Sequence, residues 1–174
     1  MTVDERSAPA AKRPADAFAA TVSFRVATAA DVPALVPMIN ETYLRAAWLL
    51  PAPRATAELL TGEVADTATR VIVAEVQAAL AGCVRVRLHG DGAWFGLLAA
   101  ALSFQGRGLA SLLIAEAEAL ARLEGCDSMR LDCAEELGLP PYYASLGYDI
   151  ESREENAYFK HKGPITRIVM NKAL

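Results

Sequence analysis

The middle of the chain alternates apolar and polar side chains as β-strands do. Residues 70–76 are rich in β-branched side chains, and along residues 80–88 valine and leucine alternate with arginine. Gly90-Asp91-Gly92 has the composition of a hairpin turn, and the following residues 93–104 contain no charged side chain. This pattern predicts an antiparallel meander over residues 70–100.

Helical periodicity precedes and follows the meander. An apolar stripe runs from near Asp31 to Leu44, and a second helix is predicted over roughly residues 54–64. Pro37 does not suit a regular helix interior, so the first of these helices is expected to begin late or to kink. After the meander, a long amphipathic helix ends at Gly125. Its predicted buried face consists of Leu109, Leu112, Leu113, Ala117, Leu120 and Ala121, and Ser111, Glu118 and Arg122 are expected outside that face.

Further strands are predicted on both sides of these helices. One is expected at residues 22–27, and another at residues 129–133 after a helical crossover, which makes it parallel to the strand before that helix. A short helix begins at Pro140-Pro141, and two strands follow near residues 148–155 and 165–171. The resulting fold class is α+β, with a mixed, mostly antiparallel six- to seven-stranded sheet and helices on both faces.

Length and composition agree with one domain. The chain has 174 residues, of which 53% are hydrophobic, and this content is ample for a single core. Residues 1–20 show neither helical nor strand periodicity and are predicted to form a disordered leader. The folded domain is therefore predicted to span residues 21–174.

Charge and cysteine content exclude several classes of function. A net charge of -4 gives no general attraction to nucleic acid or to an anionic membrane, and the longest uncharged run is too short to cross a bilayer. Cys83, Cys126 and Cys133 form no C-x-x-C pair and no metal-ligand spacing with His89 or His161. We therefore expect reduced thiols, no bound metal and a cytoplasmic location. A monomer and a homodimer both stay open.

The segment that carries candidate chemistry is the turn Gln105-Gly106-Arg107-Gly108-Leu109-Ala110, between the uncharged strand and the long helix. Glycines lack the Cβ atoms that would block a ligand, and the first N–H groups of a helix have no acceptor within it, so such a turn can bind phosphate oxygens. A plain strand-to-helix turn is the alternative. The turn lacks the Lys-Ser/Thr of a P-loop and the glycine spacing of a dinucleotide-binding fold.

The turn also matches a longer pattern. Gln105, Gly108 and Ala110 fit Q/R-x-x-G-x-G/A, and residues 142–148, Tyr-Tyr-Ala-Ser-Leu-Gly-Tyr, fit a Y-x-x-x-G-F/Y segment. Together with the apolar strand before the turn and the amphipathic helix after it, these features extend over much of the second half of the chain. In this region the chain resembles the GNAT superfamily of N-acetyltransferases, and the resemblance implies the acyl-CoA N-acyltransferase fold.

The resemblance implies binding roles for acetyl-CoA as co-substrate. The backbone of Leu98, Ala99 and Ala100 would lie beside the pantetheine, in an opening where two parallel strands splay apart. The pyrophosphate would be held by Gln105, Gly106, Arg107, Gly108, Leu109, Ala110 and Ser111. The strand end reads Ala-Ala-Ala-Leu, where the family often has a β-branched residue and then a proline two positions on. This departure concerns the local shape of the strand more than cofactor binding.

Tyr143 occupies the position of the family's general acid. A phenol, with a pKa of about 10, would protonate a thiolate whose thiol has a pKa of about 8.5 only if the site tunes or relays the proton. The alternative is that Tyr143 merely packs against the cofactor. Tyr142 is expected to be the core residue of the pair, because the Y-x-x-x-G spacing to Gly147 selects Tyr143.

The acceptor site is expected between the first two helices and in the loop before the last strand. Glu41, Tyr43 and Trp48 are the candidate substrate-binding residues, and Arg45 or Arg54 is available for a carboxylate. Trp48 also suits a place in the core. An amino acid, a polyamine, an antibiotic-like metabolite and a protein N-terminus all stay open as the amine acceptor.

The predicted function is transfer of an acetyl group from acetyl-CoA to a primary amine of a small molecule, by direct attack in a ternary complex. No carboxylate lies in the strand at residues 93–101, so the candidate bases are Glu41, Glu75 and Asp132, with an ordered water or an already neutral amine as the alternative. Competing hypotheses are a non-catalytic acyl-CoA-binding module, a protein N-terminal or lysine acetyltransferase, and a nucleotide-binding α/β protein. A longer acyl group than acetyl also stays open.

Overall fold

The centre of the fold is a seven-stranded sheet, in a computed structural model that describes residues 14–159 and 163–174. Its strands are β1 (Val22–Val26), β2 (Thr69–Val76), β3 (Ala79–His89), β4 (Gly92–Ala100), β5 (Ser128–Ala134), β6 (Asp149–Phe159) and β7 (Gly163–Ala173). They lie in the order β1-β2-β3-β4-β5-β7-β6, and β4 and β5 are parallel while the other neighbours are antiparallel. The predicted α+β class, the strand number and the β2–β3–β4 meander are confirmed.

Helices cover both faces of the sheet. They are α1 (Pro14–Ala19), α2 (Val32–Tyr43), α3 (Ala57–Ala65), α4 (Leu109–Leu123) and α5 (Pro140–Ser145). The buried side chains of α2 and α3 share one apolar cluster with β2, β3 and the end of β4, and those of α4 and α5 share another cluster on the opposite face. Among the described residues, no helix is long and apolar enough to cross a membrane.

Two predictions about the N-terminal third need correction. Residues 14–19 of the predicted disordered leader form α1, in which Phe18 packs against the α4 side of the core, and residues 1–13 lie outside the described residues. The first helix was predicted to begin late or to kink at Pro37; the late start is wrong, because α2 begins at Val32 and continues through Pro37. Pro37 removes one hydrogen bond to the first turn, and the burial of Leu35 and Ile39 outweighs that loss.

The parallel strands β4 and β5 pair over a short distance and then separate. Their register covers Gly92 with Ser128, Ala93 with Met129 and Trp94 with Arg130, and no pair follows. On its other edge β4 stays paired with β3, interrupted by a bulge at which Leu97 adopts a φ of +50°. The sheet therefore opens between the second halves of β4 and β5.

The bulge changes which face of the sheet the buried positions of β4 meet. Before it, Ala93 and Phe95 face the α4 cluster, and after it Leu97 and Ala99 face the α2 and α3 cluster. Helices cover these buried positions on both faces, whereas the positions between them, Trp94, Gly96, Leu98 and Ala100, are partly exposed. Gly82 on β3 permits the close packing here, since a Cβ at that position would lie 2.6 Å from the Ala99 carbonyl oxygen and 3.1 Å from Leu113.

The buried face of α4 includes a carboxylate that was predicted to lie outside it. Glu118 is 6% exposed, and its Oε1 accepts a hydrogen bond of 2.8 Å from the hydroxyl of fully buried Tyr148. Lys172 on β7 donates to both Glu118 oxygens at 2.8 Å. Glu118 lies one turn after buried Ile114, so the helical spacing itself placed it on this face, and its two partners make its burial tolerable.

Candidate active site

The predicted phosphate turn lies where β4 leads into α4. A short 3₁₀ turn at Leu102–Phe104 precedes it, Gly106 and Gly108 have φ of +73° and +85°, and Gly108 is the N-cap of α4. These values lie in the left-handed region, which glycine adopts without a steric penalty. A Cβ at either glycine would meet nothing within 4 Å. The turn therefore needs its glycines for backbone conformation, and its outer side is open to a ligand.

The start of α4 presents free hydrogen-bond donors. The first bond into the helix runs from the Leu112 N–H to the Gly108 carbonyl oxygen at 3.2 Å. Within residues 14–159 and 163–174, the backbone N–H groups of residues 106–111 have no acceptor. Such donors at the positive end of a helix dipole form a site for an anion.

A groove runs from this turn along the opening in the sheet; we call it the long groove. Its outer part encloses about 240 Å³ beside the turn, and its inner part encloses about 500 Å³. Both parts share Ala100, Gln105, Ala110 and Tyr142, and Gly106, Gly108, Leu109 and Ser111 line the outer part. Leu98 lines the inner part, so most residues predicted for the cofactor are brought together along one groove.

Two of the predicted cofactor residues do not line the long groove. The side chain of Ala99 is 1% exposed and packs in the core on the opposite face. Arg107 turns aside and lies over the rings of Phe18 and Phe104, at 5.7 and 5.8 Å from the ring centroids. Their contribution to a cofactor site stays a prediction.

Backbone groups of β4 face the opening beyond the point where β5 separates. The carbonyl oxygen of Leu98 accepts from the Tyr43 hydroxyl at 3.2 Å, and that of Ala100 accepts from Thr42 Oγ1 at 3.2 Å and from Gln105 Nε2 at 3.0 Å. Because backbone groups alternate along an antiparallel pair, the N–H and carbonyl groups of Ala99, between these two residues, face β3 instead. Three side chains thus donate hydrogen bonds to the two β4 carbonyl oxygens that would pair with β5 if the strands stayed together.

Tyr143 lies at the inner end of the long groove. It is 7% exposed, and its ring contacts Phe95 and Tyr148 edge to face, with centroids 5.9 and 6.4 Å away. Among the described residues its hydroxyl has no hydrogen-bond partner. Burial raises the pKa of this hydroxyl above its ordinary range, so the phenol stays protonated at neutral pH.

Tyr142 was expected to be the core residue of the pair, and this expectation is wrong. It is half-buried, lines both parts of the long groove, and its hydroxyl lies 3.0 Å from Ser111 Oγ. Tyr143 is the more buried of the two. The short helix α5 follows Leu139 and carries both rings, so that Tyr142 lines both parts of the groove and the more buried Tyr143 lines its inner part.

A second cavity adjoins the first on the α2 and α3 face of the opening; we call it the inner cavity. It encloses about 120 Å³ and shares Tyr43, Leu50, Leu98, Leu137, Leu139 and Tyr143 with the long groove. Its remaining walls come from Arg54 in the segment before α3, from β3, from the open halves of β4 and β5, and from β7. Tyr143 therefore lies in the wall between two cavities that meet at the opening of the sheet.

Charged side chains form one side of the inner cavity. Arg54, Arg85, Arg167 and Asp132 all line it. Arg167 donates to Asp132 at 3.0 Å, and Arg85 donates to Glu63 on α3 at 2.7 Å. Sequence analysis identified Arg54 and Asp132 as candidates but missed Arg85 and Arg167. The alternation along β3 predicts that Arg85 lies on the face of the strand opposite the valines, but it does not indicate that this face borders a cavity.

The three predicted substrate-binding residues have different locations. Tyr43 lines both cavities, its pKa is raised by burial, and Arg54 lies over its ring at 5.3 Å from the centroid. Glu41 is exposed and Trp48 is 61% exposed, and neither lines the long groove or the inner cavity. The interpretation of Trp48 as a core residue is wrong, and a role for it or for Glu41 in substrate binding stays a prediction.

Other polar candidates lie away from the opening. Glu75 forms an ion pair of 2.6 Å with Arg25, which leaves Asp132 as the one predicted base that lines the inner cavity. His89 is exposed at the end of β3, and His161 lies outside the described residues. Across residues 14–159 and 163–174, no group of three or more His, Cys, Asp or Glu side chains could hold a metal ion.

Comparison with known proteins supports the family resemblance. The model of the acetyltransferase (GNAT) family matches residues 36–148, which is more than half of the chain. No curated protein sequence is significantly similar.

Solved structures share the fold at low sequence identity. A spermidine N-acetyltransferase from Vibrio cholerae, in complex with CoA and spermine, is 21% identical with a TM-score of 0.75, over 88% of this chain and 96% of that chain. The ribosomal-protein-S18-alanine N-acetyltransferase from Escherichia coli is 15% identical with a TM-score of 0.73, over 87% and 93%. A putative acetyltransferase from Salmonella typhimurium with its cofactor acetyl-CoA is 17% identical with a TM-score of 0.74, over 88% and 94%. The family match, on a sheet that opens beside a glycine turn, shows that the chain belongs to the GNAT family of acetyltransferases.

Proposed function

We propose that the protein transfers an acetyl group from acetyl-CoA to a primary amine of a small molecule, by direct attack in a ternary complex. The observation that carries the proposal is the position of Tyr143, which lines both the long groove and the inner cavity. An acyl donor in the groove and an amine in the cavity would meet beside its hydroxyl. Holding two reactants in this way makes their reaction effectively unimolecular.

The long groove suits an extended ligand with a phosphate-rich end. The free N–H groups at residues 106–111 would bind the pyrophosphate of acetyl-CoA, with Gln105 and Ser111 beside them. The inner part of the groove, next to Leu98 and Ala100, would hold the pantetheine. Acetyl-CoA supplies the activated acetyl group and a thiolate leaving group. The residues of this chain would orient it and exclude water from the thioester.

The site contains one candidate proton donor and one candidate proton acceptor for this reaction. Tyr143 is protonated at neutral pH, and its hydroxyl has no acceptor among the described residues, so it would give a proton to the departing thiolate. Asp132 lines the inner cavity and already accepts a hydrogen bond from Arg167 at 3.0 Å. It is the candidate to accept the proton of the amine, directly or through water.

Product formation from acetyl-CoA and a panel of amines tests the proposal. The panel contains amino acids, spermidine and an alanine-starting peptide, with CoA release followed by a thiol reagent. Acetylated product is confirmed by mass, since the protein has three free cysteines of its own. Intact acetyl-CoA binding without transfer to any amine would instead support a non-catalytic acyl-CoA-binding module. Preference for the peptide would support a protein N-terminal acetyltransferase.

The assignment of the glycine turn has its own test in a matched pair of variants. Gly108→Asn and Gly108→Asp place side chains of equal size at a φ of +85°, in a position where a Cβ meets nothing within 4 Å. The two variants therefore share the backbone strain and differ in charge. If the turn holds a pyrophosphate, we expect the Kd for acetyl-CoA to be at least about tenfold higher for Asp than for Asn, from charge repulsion alone. Equal Kd values in the two variants would remove the turn from the cofactor site.

A further inference from the structure

The inner cavity has an excess of positive charge in its wall. Its lining includes the guanidinium groups of Arg54, Arg85 and Arg167 and the single carboxylate of Asp132. Glu63 and Glu154 lie behind the lining and pair with Arg85 at 2.7 Å and with Arg167 at 3.6 Å. Most of the arginine charge is thereby matched within the protein.

Arg54 is the exception. Among the described residues it has no carboxylate partner, and its guanidinium lies over the ring of Tyr43 instead. Its backbone is fixed in place, since its N–H donates to Asn40 Oδ1 at 2.8 Å. The charge of Arg54 is therefore held at the cavity wall without compensation from a neighbouring acid.

Two buried donors point to the same conclusion. Among the described residues, the buried Nε atoms of Arg54 and Arg85 lack a hydrogen-bond partner, as does Oε2 of Glu63, the carboxylate that pairs with the Arg85 Nη1. Buried polar groups without partners are uncommon in folded proteins, and each is costly unless a ligand supplies an acceptor. Both residues line the inner cavity, which encloses about 120 Å³, so an anionic group bound there would have both side chains in its wall.

We infer that the amine acceptor also carries a carboxylate, which binds in the inner cavity to Arg54 and Arg85, and that the acceptor is a small amino acid rather than a polyamine. This inference rests on the proposed function and names its substrate class. Guanidinium groups bind carboxylates in a planar, charge-assisted geometry. A polyamine would bring further positive charge to a wall that is already cationic. The apolar remainder of the wall, with Leu50, Leu137 and Ile165, suits a short aliphatic side chain.

The test compares acceptors that differ in the carboxylate alone. We would measure kcat/KM at saturating acetyl-CoA for L-leucine, L-alanine and L-methionine, for the carboxamide of each, and for spermidine. The amine of a carboxamide is less basic, so more of it is neutral and reactive at the same pH. A preference for the free amino acids therefore cannot come from amine reactivity. We expect kcat/KM for at least one amino acid to exceed that for its amide by about tenfold or more. Equal or better turnover of the amides or of spermidine would overturn the inference and leave the proposed function standing.

Variants connect this preference with the named arginine. Arg54→Gln should raise KM for the amino acid by about tenfold or more and leave kcat/KM for the amide nearly unchanged. In Arg54→Lys, KM for the amino acid should lie between the values of Arg54→Gln and of the unmodified protein. Arg130→Gln is the matched control, because Arg130 pairs with Glu151 at 2.8 Å outside the cavity. If Arg54→Gln keeps the full preference, the carboxylate is not bound there and the inference fails.

A binding measurement separates the two possible failures. The probe is 4-methylpentanoate, which is leucine without its amine, titrated into the protein saturated with CoA. Binding that is lost in Arg54→Gln, in a protein that acetylates no amine, would refute the proposed function and retain the carboxylate site. Absence of both binding and amino acid turnover would refute the site.

Discussion

Replacement of Tyr143 by phenylalanine removes one hydroxyl from a ring that is fixed by its neighbours. The ring centroid lies 5.9 Å from that of Phe95, 5.3 Å from that of Tyr142 and 6.4 Å from that of Tyr148, and these contacts are retained in the variant. Since the hydroxyl has no partner among the described residues, its loss breaks no hydrogen bond within that part of the protein. The free energy of unfolding should change by no more than about 0.5 kcal/mol, which for a chain of this size is a Tm change of about 2 °C or less.

Catalysis should respond much more strongly than stability. Loss of a positioned acid lowers turnover by about 10²- to 10⁴-fold, which corresponds to about 3 to 5 kcal/mol of activation free energy. Burial weakens Tyr143 as an acid, but a thiolate released in the same buried place would also lose solvation. A thiolate released here is therefore a stronger base than in water. The proton affinities of donor and acceptor rise together, so the transfer is not prevented by burial.

The assay is the single-turnover rate of CoA release at saturating acetyl-CoA and amine, which reports the chemical step. Tyr148→Phe is the control, because Tyr148 belongs to the same aromatic cluster but donates its hydroxyl to Glu118, outside both cavities. We expect the opposite result from it, a lower Tm with an unchanged rate. Tyr142→Phe is less suitable, since Tyr142 lines the long groove. A wild-type single-turnover rate in Tyr143→Phe would refute the assignment of Tyr143 as the acid.

Three further predictions concern stability. Glu118→Gln keeps an acceptor for the Tyr148 hydroxyl but replaces the carboxylate that pairs with Lys172 by a neutral amide. The free energy of unfolding in a denaturant titration should therefore fall by about 1–3 kcal/mol. An unchanged value would show that the buried charge does not contribute to stability. Gly82→Ala should lower the free energy of unfolding by about 1–3 kcal/mol, because its Cβ would lie 2.6 Å from the Ala99 carbonyl oxygen. Gly62→Ala on α3, where a Cβ would meet nothing within 4 Å, should leave the free energy of unfolding unchanged or raise it. Equal effects of the two substitutions would contradict the close approach at β3. Burial raises the pKa of Cys83 to about 12 from an ordinary value of 9.0, so the folded state retains a proton that the unfolded state loses, and the free energy of unfolding should fall as pH rises from about 9 to about 12. Cys83→Ala should flatten this decline by up to about 1.4 kcal/mol per pH unit in unfolding curves, and an unchanged slope would count against the burial of this thiol.

Local patterns in the sequence were sufficient for most of the elements and for the glycine turn. The meander followed from the alternation along β3 and from the hairpin turn at Gly90-Asp91-Gly92, because a half-buried strand places successive side chains on opposite faces. The turn at the start of α4 followed from glycines whose φ values are indeed positive at Gly106 and Gly108. Such features depend on neighbours within a few residues, which is the range over which periodicity and backbone preference act.

The arrangement of side chains around the opening between β4 and β5 was decided by the tertiary structure. The uncharged β4 sequence predicts a strand buried on both faces, but the place where β5 leaves it depends on the bulge at Leu97 and on pairing between distant segments. The same holds for Arg54 and Arg167, which are far apart in sequence and line one cavity. Charge alone cannot distinguish an arginine at such a cavity from one on an open surface, because the difference lies in which distant side chains surround it. The sequence by itself therefore determined the family fold and the glycine turn, and the packing of non-local elements decided which charges line the inner cavity.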